Sequence, residues 1–412
     1  MAVSGAVKKL AVSEPREKAV IRRMPKRPQV TEEKVRPAAE KTAGYVDYSL
    51  ILIVFFLAVF GLIMLFSTSS FEAGMKFGDT AFYLKRQMAA TAFGIGVMFL
   101  LSFFPHYRVL KHLAIPAYLF AAVLIALVMT DLGYEANGAR RWLQVGPISV
   151  QPAEVAKLAM IVFLAALITA MRNKAKSWKG FLFCFFMSLP IVAMIYKITE
   201  NLSSAIIVLG IAMIMLFVAT PGYKRFVGIA AVGCTAVFGV IYYILHYADP
   251  SHSVRFARIF AWSDLEAYAS GKGYQPLQAL YAIGSGGIFG KGLGQSIQKT
   301  GFIPEVQNDM IFSIICEELG LFGGIAVLVM FFLLLWRLVI IASNTEDLFG
   351  SLLVVGVMAH IAIQVILNIA VVTSLIPNTG ITLPFISYGG SAIVMQLAEV
   401  GIVMNVARRI RT

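Results

Sequence analysis

Ten long apolar runs, separated by mostly short polar segments, make up the chain after residue 44. Each run is close to the roughly 20 residues that an α-helix needs to cross a bilayer. The pattern predicts transmembrane helices at 48–67, 86–104, 113–130, 152–171, 180–197, 202–220, 226–246, 308–335, 349–374 and 388–407. The expected fold class is therefore an all-α polytopic membrane protein, with one transmembrane domain over residues 45–412.

The first 44 residues have a different character. They are polar, contain four prolines, and carry eleven Lys or Arg against five Asp or Glu. This composition lacks the apolar residues needed for a core, so it predicts a disordered basic tail over residues 1–44. Its basicity favours the cytoplasmic side, where it is either plainly solvated or in contact with anionic lipid.

The distribution of Lys and Arg predicts the orientation of the helices. With the tail inside, five short loops are cytoplasmic and each carries basic residues, as the positive-inside rule requires. These loops are 105–112, 172–179, 221–225, 336–348 and 408–412. Both termini are then cytoplasmic. Two long loops lie outside, at 131–151 and, between helices 7 and 8, at 247–307; the second, rich in glycine and aromatic residues, is expected to be packed and functional.

Charge and composition exclude other classes of protein. The chain is 59% hydrophobic and 14% charged, whereas a soluble domain averages about 25% charged residues. The formal net charge of +13 is of the kind seen in nucleic-acid-binding proteins. Here the basic residues cluster in the tail and the short loops, so the bilayer accounts for them and no nucleic-acid partner is expected.

A carboxylate opens the eighth apolar run. Asp309 lies in the polar stretch that leads into this run, and Glu317 and Glu318 follow about two turns deeper. Ionisable groups at membrane depth are costly and are therefore candidates for function. Asp309 fits a catalytic base or a helix N-cap, with Asn308 as a competing cap. Glu317 and Glu318 are adjacent and cannot share a helix face, so at least one of them is expected to be structural.

A second candidate lies in the first long outside loop. Arg140 and Arg141 oppose the positive-inside bias, and guanidinium groups suit bidentate contact with phosphate. Trp142 beside them is either an interfacial residue or a ligand contact. Glu154 and Lys157 stand three residues apart on one helical face. They form either an internal salt bridge or the charged lining of a lipid-headgroup cavity, and the two alternatives are compatible.

A third segment, 284–294, has six glycines in eleven residues. It is not a phosphate-binding loop of the Walker type, because Lys291 is followed by Gly292 instead of Ser or Thr. The backbone N–H groups could form a nest for a pyrophosphate. The favoured alternative is a glycine-rich re-entrant turn that packs between helices.

A fourth segment, 376–391, contains two prolines and three glycines and cannot form a continuous helix. Non-helical backbone near membrane depth is tolerated only when it packs within protein or lines a wet cavity. The predicted topology brings this segment to the outside, near Asp309.

Together the four segments resemble the SEDS family (shape, elongation, division and sporulation), which includes FtsW, RodA and SpoVE. The resemblance extends over about residues 45–410 and is closest to the FtsW branch. The motifs that carry it are Gly138–Trp142 with Gln151–Lys157, Gly284–Gly287 with Gly290–Gly294, Pro304–Phe312 with Glu317–Gly320, and Leu383–Gly390.

The resemblance implies a ten-helix peptidoglycan glycosyltransferase. Such an enzyme polymerises lipid II at the outer face of the bacterial cytoplasmic membrane. The implied partners are lipid II, a class B penicillin-binding protein with transpeptidase activity, and other divisome proteins, with a role in septal wall synthesis. The family's essential aspartate falls on Asp309 and its tryptophan on Trp142. The chain departs from the family pattern at Glu200–Ser204, where Pro-Asp-Leu-Gly-Thr is usual, and at Gln307, where histidine is usual.

The implied reaction needs one base and stabilisation of the leaving group. Its donor is α-linked to undecaprenyl pyrophosphate and its product is β-linked, so one inverting displacement suffices. Asp309 is the expected base, and a divalent cation, Mg or Mn, could share the neutralisation of the pyrophosphate with basic side chains. The cations considered are Arg140, Arg141, Lys157, Arg255, Arg258, Lys291 and Lys299. The predicted substrate-binding residues are Arg140, Arg141, Trp142, Glu154, Lys157, Lys291, Lys299 and Ser387; no metal ligands are assigned.

Alternative functions remain open on the sequence. A lipid II flippase would need a charged path from the outer mouth to the inside, and Glu200, Gln364 and Asn368 are polar residues that such a path could use. The other alternative functions are an elongation- or sporulation-specific polymerase and a noncatalytic division scaffold. The scaffold would leave the charged residues around Asp309 without a purpose.

Overall fold

Ten helices that are long and apolar enough to cross a bilayer make up most of the described chain. The computed structural model describes residues 46–103, 106–136, 139–146, 148–220, 222–250 and 253–410, so the predicted disordered tail at 1–44 lies outside the described residues. Counting two shorter helices in the second long loop, the order is α1 Tyr48–Phe77, α2 Phe82–Phe103, α3 Leu110–Leu127, α4 Pro152–Met171, α5 Trp178–Ile198, α6 Leu202–Ala219, α7 Tyr223–Tyr247, α8 Val254–Ser263, α9 Tyr274–Gly286, α10 Ile311–Asn344, α11 Leu348–Val372 and α12 Gly390–Ala407. The all-α polytopic prediction is confirmed.

Helix α1 extends ten residues beyond its predicted end at residue 67. The apolar pattern stops there, at a run of Ser and Thr, but Ser67, Thr68 and Ser69 are buried. The Ser67 hydroxyl donates to both carboxylate oxygens of Glu318 on α10, at 2.8 and 2.7 Å. A polar residue with a partner inside the protein does not end a membrane helix.

The helices differ greatly in how much of their surface is covered. Helices α4, α6, α11 and α12 form the buried centre, whereas α7 is almost entirely exposed. The backbones of α12 and α2 approach closely at Gly401. A Cβ atom added there would stand only 2.5 Å from the Met98 carbonyl oxygen. Close backbone approach at small residues is the usual way in which membrane helices pack.

The first long loop folds into a small antiparallel sheet that the sequence pattern did not predict. Its strands are β1 Gly133–Ala136, β2 Ala139–Val145 and β3 Ile148–Val150, in the order β1-β2-β3. Trp142 on β2 is opposite Tyr134 on β1. Successive residues of a strand point to opposite faces, so Arg140 and Arg141 diverge: Arg140 is exposed and Arg141 half-buried.

Helix α10 is broken at Gly320, whose φ of 69° and ψ of −167° are accessible essentially to glycine alone. The break frees backbone groups, and the glycine-rich segment satisfies them. The carbonyl oxygens of Glu317 and Glu318 accept from the N–H groups of Lys291 and Gly292, both at 2.9 Å. In return, the N–H groups of residues 321 and 322, just beyond the break, donate to the carbonyl oxygens of residues 287 and 288 at 2.9 and 3.2 Å.

These contacts confirm that the glycine-rich turn predicted at residues 284–294 packs against a helix, and its re-entrant placement in the membrane stays a prediction. Gly290 lies so close to α10 that a Cβ atom there would stand 2.2 Å from the Glu318 carbonyl oxygen. The alternative of a pyrophosphate nest is wrong for Lys291 and Gly292, because both N–H groups are already bonded to α10.

Candidate functional site

Asp309 lies in the turn that precedes α10. Helix α10 begins at Ile311 after Met310, without a side-chain cap. The N-cap interpretation of Asp309 is therefore wrong, and Asn308 is not the cap either, because its amide donates to Glu305 Oε2 at 3.0 Å. Both side chains belong to a turn that ends before the helix starts. Helix capping therefore does not explain why a carboxylate is present at position 309.

The backbone around Asp309 is tied to the non-helical segment 376–389. The buried Asn368 side chain on α11 donates to the Asp309 carbonyl oxygen at 2.8 Å and to the Ile381 carbonyl oxygen at 2.7 Å. The Tyr388 N–H donates to the Gln307 carbonyl oxygen at 2.9 Å. The predicted placement of this segment beside Asp309 is thus confirmed. The Asn368 side chain links the backbone of Asp309 to the backbone of the segment.

The Asp309 carboxylate itself has no side-chain partner among the described residues. It is half-buried, and a Cβ atom on Gly380 would stand 3.8 Å from its Oδ2. Displacement of water by the surrounding protein atoms raises its pKa to about 6; its own backbone N–H and Arg258 oppose this rise, and Glu305 adds to it. A carboxylate with this pKa is ionised at neutral pH and is a stronger base than an ordinary aspartate.

Three arginines surround the same region, and with Asp309 they are called here the Asp309 cluster: Asp309, Arg141, Arg255 and Arg258. Arg258 on α8 donates to the Asn378 carbonyl oxygen at 3.3 Å. Arg255, one turn earlier on α8, donates to the Tyr196 hydroxyl at 2.7 Å and stacks over its ring.

Two other contacts complete the arrangement of the arginines. Arg141 reaches from β2 to the carbonyl oxygens of Thr199 and Glu200, at 3.3 and 3.2 Å. Helix α8 is further held by the Trp262 indole N–H, which donates to the Ser374 carbonyl oxygen at 2.9 Å. The loop 247–307 is therefore packed over the ends of α5 and α11, as expected.

Among the described residues, the arginines of the cluster form no close ion pair with a carboxylate. Burial, with the charges of Arg258 and Arg255, lowers the pKa of the Arg141 guanidinium, while Glu200 opposes the shift. Within the described part of the chain, none of the three guanidinium groups has a carboxylate within 4 Å. Three neighbouring cations bonded only to carbonyl and hydroxyl oxygens form a site suited to a multiply charged anion.

Arg255 and Arg258 were absent from the predicted substrate-binding residues. The signal that identifies them is available in the sequence: they are three residues apart, on one helical face, in a loop that is predicted to lie outside, where the positive-inside rule disfavours arginine.

Lys291 and Lys299 have partners inside the protein. Lys291 Nζ lies 2.7 Å from Glu317 Oε1, and Lys299 Nζ lies 2.7 Å from Glu318 Oε1. Both glutamates are fully buried. Both, and not merely one of them, are therefore structural, and the lysines neutralise them; a contact of either lysine with substrate stays a prediction.

The predicted salt bridge between Glu154 and Lys157 is present. The two charges lie 2.8 Å apart, and Lys157 is 1% exposed. Lys157 also approaches Gln364 Oε1 at 3.5 Å, and the Gln364 amide donates to the Thr382 carbonyl oxygen at 3.0 Å. The pair thus connects α4 through α11 to the segment that packs beside Asp309, and its contact with a headgroup stays a prediction.

The remaining predicted residues have varied surroundings. Ser387 is 6% exposed, and its hydroxyl accepts from the Leu383 N–H at 2.8 Å within the same loop. Trp142 is half-buried and Arg140 exposed. Ser387 therefore stabilises the loop, and a role in substrate contact stays a prediction for all three.

One buried pair was missed. His360 Nδ1 on α11 lies 2.8 Å from Glu399 Oε2 on α12, and both side chains are almost fully buried. Ionisable residues inside two predicted spans were the available signal. Their direct pairing gives them a structural role between the two helices.

The residues present do not fit a resident metal. Among the described residues, no group of three or more His, Cys, Asp or Glu is arranged to hold an ion. The cluster contributes one carboxylate and three cations, too few oxygen ligands for a metal held by the protein alone, whereas Mg is usually bound by one or two carboxylates together with substrate phosphates. A divalent cation that arrives with the substrate stays a prediction, and no chemical step is derived through it.

Comparisons with known proteins agree with this architecture. The FtsW/RodA/SpoVE family model, described as a cell cycle protein, matches residues 48–412. Stage V sporulation protein E of Bacillus subtilis (strain 168) is 39% identical over 367 residues, covering 88% of this chain and 97% of that protein. A probable peptidoglycan glycosyltransferase FtsW of Geobacter sp. (strain M18) is 34% identical over 375 residues, covering 90% and 99%.

Solved structures are similar over nearly the same length. A chain from a study of structural coordination of polymerization and crosslinking by a peptidoglycan synthase complex has a TM-score of 0.71 and 30% identity, covering 88% of this chain and 98% of that chain. The rod shape determining protein RodA of Thermus thermophilus has a TM-score of 0.64 and 28% identity, covering 89% and 98%.

The buried Glu154–Lys157 pair generates a prediction about stability. Lys157→Met should lower the free energy of unfolding by about 3–5 kcal/mol, because it leaves a buried carboxylate without its partner. The Glu154→Gln/Lys157→Met double variant should recover most of that loss. Thermal unfolding in detergent measures both. Lys76→Met, which breaks the more exposed Glu72–Lys76 pair on α1, is the matched control and should cost under about 1 kcal/mol. Equal losses from Lys157→Met and Lys76→Met would contradict the prediction.

Proposed function

This chain belongs to the SEDS (FtsW/RodA/SpoVE) family, and from that premise we propose that it is a peptidoglycan glycosyltransferase that polymerises lipid II at the outer face of the cytoplasmic membrane. The names of its relatives support the activity. The observation that carries the proposal is the Asp309 carboxylate, which lacks a side-chain partner among the described residues, has a pKa of about 6, and lies beside a group of arginines.

The proposed reaction is a single displacement. Asp309 accepts the proton of the acceptor's 4-hydroxyl group as that oxygen attacks the anomeric carbon of the donor. The bond between the anomeric carbon and the pyrophosphate oxygen breaks, and the leaving group takes the electron pair. Inversion at the anomeric carbon converts the α-linked donor into a β-linked product, and no covalent enzyme intermediate is needed.

The arginines of the cluster supply the second requirement, which is stabilisation of the leaving group. Negative charge develops on the pyrophosphate in the transition state. Cations that are already positioned around it stabilise this charge and lower the activation barrier. Arg141, Arg255 and Arg258 are held by carbonyl and hydroxyl oxygens and so are available for an anion. Arg258 is the one whose charge also acts on Asp309.

The flippase alternative receives less support. Two of the three polar residues considered for an inward path have side chains engaged in local contacts: Gln364 with Lys157 and Thr382, and Asn368 with the backbone of Asp309 and Ile381. These contacts explain Gln364 and Asn368 without transport, whereas at Glu200 the contact with Arg141 is made by the backbone carbonyl oxygen.

The relatives support proposals for the partners and the cellular role. The structural neighbour from a peptidoglycan synthase complex that coordinates polymerization with crosslinking supports a class B penicillin-binding protein as partner. The FtsW relatives support septal synthesis within the divisome. The 39% identity to stage V sporulation protein E makes a sporulation-specific polymerase the principal alternative for the cellular role.

Asp309→Asn should lower the rate of glycan polymerisation by about 10²–10⁴-fold, because the base is lost. Asp309→Glu should cost about 10²-fold, since it moves the carboxylate by about 1 Å. The measurement is polymer formation from labelled lipid II in liposomes with the partner present, and lipid II transport is followed in the same vesicles. Asp131→Asn, an exposed carboxylate of the other outside loop, is the control.

Near-native polymerisation by Asp309→Asn would reject the base assignment. Transport of lipid II without polymer formation by the native protein would replace the enzyme with a flippase.

The proposed orientation has its own test. Cysteines introduced at the exposed positions Ser149 and Ser270 should react with a membrane-impermeant thiol reagent in intact cells, and one at the exposed position Ser177 should not. The background should carry Cys234→Ser, because Cys234 is exposed whereas Cys184 and Cys316 are buried. Labelling at Ser177 alone would place Asp309 at the cytoplasmic face and exclude synthesis outside.

A further inference from the structure

An open surface cavity of about 640 Å³ lies at the end of the bundle opposite the Asp309 cluster. It is lined by Trp178, Lys224, Arg225, Gly228, Ile229 and Val232, at the N-terminal ends of α5 and α7. The far end of α5 holds Tyr196, which contacts Arg255 of the cluster. Eighteen residues of helix separate Trp178 from Tyr196, a distance of about 27 Å. The cavity is therefore at the level of the other membrane surface.

Arg225 is the residue of this cavity whose hydrogen bonding is incomplete. Its guanidinium carbon lies 5.0 Å from the centre of the Trp178 ring and 5.7 Å from that of Phe181. Its Nη1 atom is buried and has no hydrogen-bond partner among the described residues. Within the same described residues, no carboxylate lies within 4 Å of the group. A buried guanidinium N–H without an acceptor is costly, so an acceptor supplied from outside the chain would stabilise Arg225.

The surroundings of Arg225 specify a negatively charged acceptor. Lys224 lines the same cavity and is exposed. Helix α7 starts after Gly222 without a side-chain cap, so the free N–H groups of its first turn add positive potential there. Phosphate is the anion that arginine and lysine bind together at such a site.

The other wall of the cavity is apolar. Gly228, Ile229 and Val232 follow Arg225 at intervals of three, four and seven residues, which is one face of α7. Gly228 leaves room, because a Cβ atom there would meet nothing within 4 Å. The cavity thus has a cationic end, formed by Lys224 and Arg225, and an apolar wall that continues from it at membrane depth. This arrangement fits a molecule with a phosphate group and a hydrocarbon chain.

We propose that this cavity binds an anionic glycerophospholipid of the membrane surface opposite the active site. Its phosphate accepts hydrogen bonds from Arg225 and Lys224, and one acyl chain lies along Gly228, Ile229 and Val232. Basic pockets between membrane helices are known lipid-headgroup sites. The proposal does not depend on the glycosyltransferase assignment, because none of these residues belongs to the Asp309 cluster.

The test is lipid binding to the full chain in detergent, followed by native mass spectrometry. Dioleoylphosphatidylglycerol should bind at least about 10-fold more tightly than dioleoylphosphatidylcholine, and Arg225→Gln should remove most of that preference, since hydrogen bonds to a charged group are the stronger ones. Arg408→Gln is the matched control. Arg408 also stacks over a phenylalanine but bonds to the Ser102 carbonyl oxygen.

A second variant tests the apolar strip without altering charge. Gly228→Leu should fill the cavity and weaken phosphatidylglycerol binding about 10-fold or more, whereas Gly239→Leu, at an equally open position of α7, should not. Unchanged thermal unfolding without added lipid verifies that each variant is folded.

Three results would overturn the proposal. These are equal binding of the two lipids to the native chain, native phosphatidylglycerol affinity in both Arg225→Gln and Gly228→Leu, or full competition by millimolar inorganic phosphate. The last result would mean that the site takes a free anion and that the acyl strip is not used.

Discussion

The absence of water in the bilayer is the constraint on which this structure depends, since a polar group there must find its partner inside the protein. The buried carboxylates obey it: Glu154 pairs with Lys157, Glu317 with Lys291, Glu318 with Lys299, and Glu399 with His360. The broken backbone of α10 obeys it too, through the glycine-rich turn. Against this background, a carboxylate without a side-chain partner among the described residues stands out, and that carboxylate is Asp309.

The same contacts that satisfy buried groups also position the site. The turn at 284–294 holds α10 at Gly320 and so determines where its first half, and Asp309 before it, lies. Asn368 fixes the Asp309 backbone to the segment 376–389. Helix α8 brings two arginines to the same place from a loop some sixty residues long. One network thus serves both stability and the proposed function: structural residues are paired, and the groups proposed to react are the ones left available to a substrate.

Hydrophobic patterning predicted the ten helices well, because bilayer thickness imposes a length on each of them. It failed where polar residues find distant partners. Ser67 ended α1 too early in the prediction, since nothing local reveals its bond to Glu318. The sheet at 133–150 was missed because its strands are short and lie next to a helix-rich pattern.

Site residues were predictable in type but not in role. Asp309 and Arg141 were identified from unusual charge at the outer surface, and the structure brings them into one cluster. Lys291 and Lys299 were chosen on the same grounds but are paired with Glu317 and Glu318. These contacts depend on which helix the glycine-rich turn packs against, and the local sequence does not specify that helix. Arg255 and Arg258 remained two cations among several until α8 was seen to fold over the ends of α5 and α11.

The most direct test of the central claim, that Asp309 is the base, is the dependence of kcat/KM for lipid II polymerisation on pH. A base acts when deprotonated, so activity should fall as pH drops through about 6, the pKa of Asp309. Arg258→Gln should move that inflection to higher pH, because the Arg258 charge lowers this pKa, whereas Lys272→Gln, an exposed cation of the same loop, should leave it in place. An inflection near 4, or one that Arg258→Gln does not move, would contradict the account.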